Sequence, residues 1–174
     1  VNTLSTNSKI TSSRKRYIKD GTLLLVDIPD HHLGRLSFGK ETGDNYDVKI
    51  AVERYKGAMQ YFLQEAKYMH KRFPIEKILF PIGNDFLNYD YAKPYPHTSN
   101  DTPQESDGRY AKLFTTGAKL LCQQIEEASK IAPVEVISIP GNHDEMSALT
   151  ISIVLEAWFR NDPNVKVIVS PMLR

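Results

Sequence analysis

Three short stretches carry the side-chain types that acid–base and metal chemistry need: Asp30-His31-His32-Leu33-Gly34, Gly83-Asn84-Asp85 and Gly141-Asn142-His143-Asp144. Each offers oxygen or imidazole donors, and none offers a thiolate. Such a set suits Mn, Fe, Zn or Mg held by mixed oxygen and nitrogen ligands. A carboxylate between two such groups can bridge two cations, and cations about 3.5–4 Å apart are a standard device for hydrolysing phosphate esters. A plainer reading of the third stretch is a helix N-cap, with Asn142 or Asp144 accepting backbone N–H bonds.

The surrounding elements decide whether the three stretches can meet. Thr22-Leu23-Leu24-Leu25-Val26, Lys77-Ile78-Leu79-Phe80-Pro81-Ile82 and Val134-Glu135-Val136-Ile137-Ser138-Ile139 are short apolar runs rich in branched residues, which read as buried strands. Each runs directly into one of the polar stretches. Val165 to Val169 reads as a fourth strand. Between the strands lie helical patterns. Val48, Val52, Tyr55, Met59, Phe62, Ala66 and Met69 recur at steps of four and three, one apolar stripe opened by Asp44 or Asn45 and stopped at Phe73-Pro74. Leu113, Gly117, Leu120, Leu121, Ile125 and Ala128 mark a second helix opened by Asp107 or Gly108. Ser147 to Arg160 is the third, broken by Asp162-Pro163. The alternation predicts an α/β fold, a mostly parallel sheet with helices on both faces and right-handed crossovers. Successive parallel strands end on the same edge, where open α/β sheets bind ligands, so the three polar stretches are expected to converge.

The totals exclude several classes. A chain of 174 residues, 41% hydrophobic and 25% charged, fits one globular domain. A formal net charge of +1 gives no bulk attraction for nucleic acid. One cysteine, Cys122, excludes an internal disulfide and multi-cysteine metal sites, and its apolar flanks read as a helix interior. No apolar run approaches the roughly 20 residues that span a bilayer, and no signal-type segment opens the chain, so no membrane partner and a cytoplasmic location are expected. Residues 1–20 read as a mobile arm with a basic cluster at Arg14-Lys15-Arg16. Residues 91–107 are rich in Pro, Ser, Asn and Asp and read as a long functional loop or lid. His97, inside it, reads as a solvated loop residue. Asp90 reads as a turn residue. The Gly-x-Gly-x-x-Gly and Gly-x-x-x-x-Gly-Lys-Ser/Thr signatures of nucleotide binders do not occur.

The three motifs together resemble those of the calcineurin-like metallophosphoesterase superfamily, over residues 23–174, with a phage- or prophage-type branch the most similar. That family's first motif is Asp-x-His, here Asp30-His31-His32, which leaves His31 a bystander. Its second is Gly-Asp or Gly-Gly-Asp, here Gly83-Asn84-Asp85, and its third is Gly-Asn-His-Asp/Glu, here Gly141 to Asp144. The resemblance implies a catalytic domain over residues 21–174, built as a sandwich of mixed, mostly parallel sheets flanked by helices. It implies two divalent metal ions (Mn, Fe or Zn). Asp30 and His32 would bind the first, Asp85 would bridge the two, and Asn142 would bind the second. His143 would contact the phosphate and protonate the leaving oxygen, with Asp144 orienting it. The implied activity is hydrolysis of a phosphate ester, a phosphodiester above all, by a metal-activated hydroxide, with nucleic acid among the possible substrates.

Two departures from the family pattern stand out. Asn88 occupies a place where nuclease relatives often carry His. No Gly-His-x-His follows Asp144, so the domain is expected to lack its C-terminal part, to hold its metals weakly and to turn over slowly. The alternative reading is a non-catalytic protein-binding module with a degenerate metal site and an unidentified protein partner. Arg35, just after the first motif, is a further candidate for touching a phosphate.

Overall fold

The structure, a computed structural model, describes residues 21–170. The arm at residues 1–20 and the chain end at 171–174 lie outside the described residues. The elements run β1 (Thr22–Leu25), α1 (Gly39–Thr42), α2 (Val48–His70), β2 (Ile75–Gly83), α3 (Tyr110–Ser129), β3 (Val134–Ile139), α4 (Glu145–Phe159) and β4 (Val165–Ile168). The alternation of strand and helix is the expected one; the four-residue α1 is additional.

The four strands form one sheet in the order β1-β2-β3-β4, every neighbouring pair parallel. Strands that keep chain order and are joined by right-handed crossovers carry every crossover helix on the same face. Burial agrees. Ile78, Phe80 and Ile82 of β2, with Val134, Val136 and Ser138 of β3, are buried beneath the helices. The residues between them face the other way, and there Leu23 and Leu25 are 63% and 57% exposed. The helices therefore cover one face, not both. The core lies between that face and α2, α3 and α4.

The central β2 tolerates Pro81 because its ladder with β1 has already stopped at Leu79. On that side no N–H donor is missed. The buried stripe of α2 is Val48, Ala51, Tyr55, Met59, Leu63 and Ala66. It follows the 3.6-residue period of a straight helix, whereas the expected stripe followed a 3.5-residue period. The difference carries Phe62 and Met69 out to the rim, 37% and 44% exposed.

The caps also differ from expectation. Asp47, not Asp44 or Asn45, caps α2, accepting from the Ile50 amide at 2.7 Å. Asp107 does not open α3; its carboxylate reaches back to the Val48 amide at 2.9 Å and anchors the start of α2. Among the described residues, no helix is long and apolar enough to cross a membrane.

Candidate functional site

The loops that leave β1 and β2 lie side by side, joined by backbone hydrogen bonds. The amides of Asp30, His32 and Leu33 donate to the carbonyls of Asn84, Asp85 and Phe86 at 3.0, 2.9 and 2.7 Å, and Asn88 returns a bond to Leu33. This zipper demands unusual backbone. Asp30, His32, Asn84 and Asp85 all have positive φ, between 49° and 64°. Left-handed residues other than glycine cost roughly 1–3 kcal/mol each and persist where the surroundings impose them, often at functional sites. Four in two adjacent loops is a concentration of that kind.

The loop after β3 is tied on by two carboxylates. Asp85 Oδ1 accepts from the His143 amide at 2.8 Å. Asp144, 1% exposed, accepts from the amides of Asp85, Gly141 and Leu87 at 3.1, 3.1 and 3.2 Å. Burial pushes the Asp144 carboxyl up to about 6, against the pull of those three N–H groups.

The result is a cluster in which ligand atoms of His32, Asp85 and His143 lie within 4.8 Å of one another. The two imidazole rings meet edge to face at 4.4 Å. His143 Nδ1 lies 2.8 Å from the Asn88 carbonyl. A carbonyl only accepts, so Nδ1 carries the proton and the Nε2 lone pair is left for a ligand. His32 is held toward its neutral form by burial first, then by His143 and Arg35. Its Nδ1 is buried without a partner. Two imidazoles and a carboxylate converging in this way could hold a divalent cation.

The other expected site residues fall at different distances from this cluster. Asp30 stands at its margin, its carboxylate 3.7 Å from His32 Nε2 and its side chain 74% exposed. Asn142 is exposed, and its carbonyl accepts from the amide and hydroxyl of Ser99 in the Pro-rich loop. Asp144 is not the partner of the His143 ring; the Asn88 carbonyl is. The Asp144 carboxylate instead holds the backbone of the loops after β2 and β3 in register.

Sequence reading missed three residues here. Asp90 is no simple turn residue: its carboxylate accepts from the amides of Met146 and Ser147 and from the Ser147 hydroxyl, capping α4 from another loop. Asp144 stands at the N-cap position of α4, but its side chain makes no cap bond. Asn88 supplies its carbonyl to His143 and its amide to Glu105. His97 is buried, not solvated, with Nδ1 2.7 Å from the Tyr95 carbonyl and its ring stacked on Tyr91.

His31 turns away from the cluster, stacked on Phe86 and edge-on to Tyr55. Burial lowers its pKa to about 4. Between pH 6.5 and 4 the unfolded chain therefore takes up a proton that the folded chain refuses, and stability falls as the pH falls. A Phe in the same stack has no such proton, and the buried Nε2 has no hydrogen bond to lose. His31→Phe is expected to gain about 3 kcal/mol on the parent protein as the pH drops through that window, read from paired urea titrations.

Compared with protein-family models, characterised proteins and solved structures, the chain matches none.

Proposed function

We propose that this protein is a metal-dependent phosphoesterase, with a phosphodiester as the preferred substrate, of the calcineurin-like metallophosphoesterase kind. The observation that carries the reading is the convergence of His32, Asp85 and His143 within 4.8 Å from three separate strand ends. The strained loops support it, because backbone held in sparse conformations at a polar cluster is uncommon without a functional reason.

His32, Asp85 and His143 would hold a first divalent cation, with Asp30 able to swing in from the margin. A second cation would need Asn142 as well. A cation here supplies Lewis-acid polarisation of a phosphoryl oxygen and a lowered pKa for a water molecule. The chain's own residues do the rest. The zippered loops fix the donor positions before any ligand arrives. The Asn88 carbonyl pins the His143 ring and holds its proton on Nδ1, so Nε2 offers its lone pair to the cation and is not at the same time a proton donor to a leaving oxygen.

The test is Mn²⁺ binding by calorimetry together with hydrolysis of bis-p-nitrophenyl phosphate. Asp85→Ala and His143→Ala are each expected to weaken Mn²⁺ binding and to cut the hydrolysis rate at least tenfold. Far-UV spectra would check that both variants fold. A chain that takes up no Mn²⁺, or variants that match the parent in both measurements, would overturn the proposal and favour the binding-module reading.

A further inference from the structure

A polar cleft of about 250 Å³ opens directly beside the cluster. Asp30 and His32 form the wall nearest the candidate metal ligands; Arg35, Ser37, Tyr46 and Arg54 stand on the remaining walls. We propose that this cleft receives a second phosphate of the substrate, one ester or anhydride link from the phosphate that reacts, and that Arg35 selects it. The proposal rests on the phosphoesterase reading of the neighbouring cluster.

The two guanidinium groups in the cleft are not equivalent. Arg54 is already neutralised, with Nη2 2.6 Å from the Asp44 carboxylate and its plane 5.3 Å from the Tyr46 ring. Arg35 has no such partner: among the described residues its side chain makes no ion pair and no hydrogen bond. Its backbone, by contrast, is fixed. The Arg35 amide donates to the His32 carbonyl at 2.9 Å, and the residue bridges to Ser106 on the far side.

An unpaired guanidinium on a fixed backbone, next to a pocket open on a cation site, is placed to bind an anion. Its planar fork matches two phosphate oxygens at once, which a point charge does not. The reacting phosphate belongs at His32, Asp85 and His143. The cleft volume beyond Asp30 then has room for the next phosphate along the substrate. Ser37 and Tyr46 add little to anion binding, because their hydroxyls already donate to the carbonyls of Asp44 and His31. Selection therefore falls on Arg35.

Inorganic phosphate and inorganic pyrophosphate, titrated calorimetrically in the presence of EDTA, test this without any metal. The parent protein is expected to bind pyrophosphate at least tenfold more tightly than phosphate. Arg35→Gln should bring the two within twofold of each other, and Arg35→Lys should retain part of the preference. An equal loss of both affinities in Arg35→Gln would assign the guanidinium to the reacting phosphate and overturn the proposal. Absence of a preference in the parent would also overturn it. Mn²⁺ titration of the parent separates the two readings, because it needs no phosphate and the phosphate titrations need no metal. A parent that takes up no Mn²⁺ yet keeps the preference sinks the hydrolase and upholds the anion subsite.

Discussion

Gly141→Ala is expected to dismantle the donor cluster while leaving the sheet in place. A Cβ at Gly141 would lie 2.0 Å from Asp85 Oδ1, 2.5 Å from the Asp85 amide nitrogen and 2.6 Å from its carboxyl carbon. None of these atoms can yield cheaply. The carboxylate is bonded to the His143 amide, the amide is bonded to Asp144, and the residue has a φ of 64°. Something must move by an ångström or more, and the movable thing is the Asp85 side chain. Overpacking of this kind costs roughly 1–3 kcal/mol, and displacing a ligand adds its lost binding. The expected result is a Mn²⁺ affinity more than a hundredfold weaker, with a urea midpoint lowered by an amount worth ~2 kcal/mol. Gly57→Ala is the control. Gly57 lies inside α2 with nothing within 4 Å of its Cβ position, so alanine there should stabilise by about 0.5–1 kcal/mol through helix propensity. Equal Mn²⁺ affinity in the parent and Gly141→Ala would show that the three loops do not depend on this close approach.

The same contact explains why part of the site was legible in the sequence. A glycine before Asn-His-Asp, and another before Asn-Asp, mark places where the backbone of one loop meets another. At Gly83, with φ of 84°, a Cβ would strike the Ile139 carbonyl at 2.3 Å. Strand-end position and donor type were enough to bring the three polar stretches to one sheet edge, and the family register chose His32 over His31. The expected metal set was Asp30, His32, Asp85 and Asn142, with His143 as proton donor, whereas the ligand atoms that converge are those of His32, Asp85 and His143. Position and donor type were not enough for Asp144, whose carboxylate works on backbone amides, or for Asn88, whose backbone carbonyl orients His143 while its side chain bonds Glu105. Backbone carbonyls leave no mark in a sequence. The caps failed for a related reason. Asp107 and Asp90 cap helices far away in the chain, over 59 and 56 residues, whereas capping rules are local. His97 looked solvated because its loop is polar; Tyr91 and Tyr95, which enclose it, are visible only once the loop is folded. The helices were expected on both faces because alternation alone does not give strand order. Order β1-β2-β3-β4 is what puts them on one face.

Asp144→Ala should be the most damaging single change in the molecule. It removes the acceptor shared by three amides, those of Asp85, Gly141 and Leu87, in a place with no access to water. Each buried amide left without a partner costs about 1–3 kcal/mol, so a loss of ~4 kcal/mol is expected, a large part of the stability of a domain this size. Asp144→Asn separates the carboxylate's charge from its shape. The amide still offers one acceptor oxygen but sets an NH₂ against a backbone donor, at a cost of about 2 kcal/mol. The pH dependence distinguishes the two causes. Because burial raises this carboxyl from 3.8 to about 6, the folded chain holds a proton that the unfolded chain has released. That contribution is fully present below pH 3.8 and is lost as the pH rises through 6, a span worth ~3 kcal/mol. His31 acts with the opposite sign over nearly the same range. The two slopes oppose each other in the parent protein between pH 4 and 6. Asp144→Asn keeps the His31 slope, so its stability should climb with pH through that window more steeply than the parent's, while His31→Phe should decline relative to the parent. A His31→Phe variant whose stability stays level through the window would show that Asp144 is ionised throughout, with its three N–H bonds outweighing its burial.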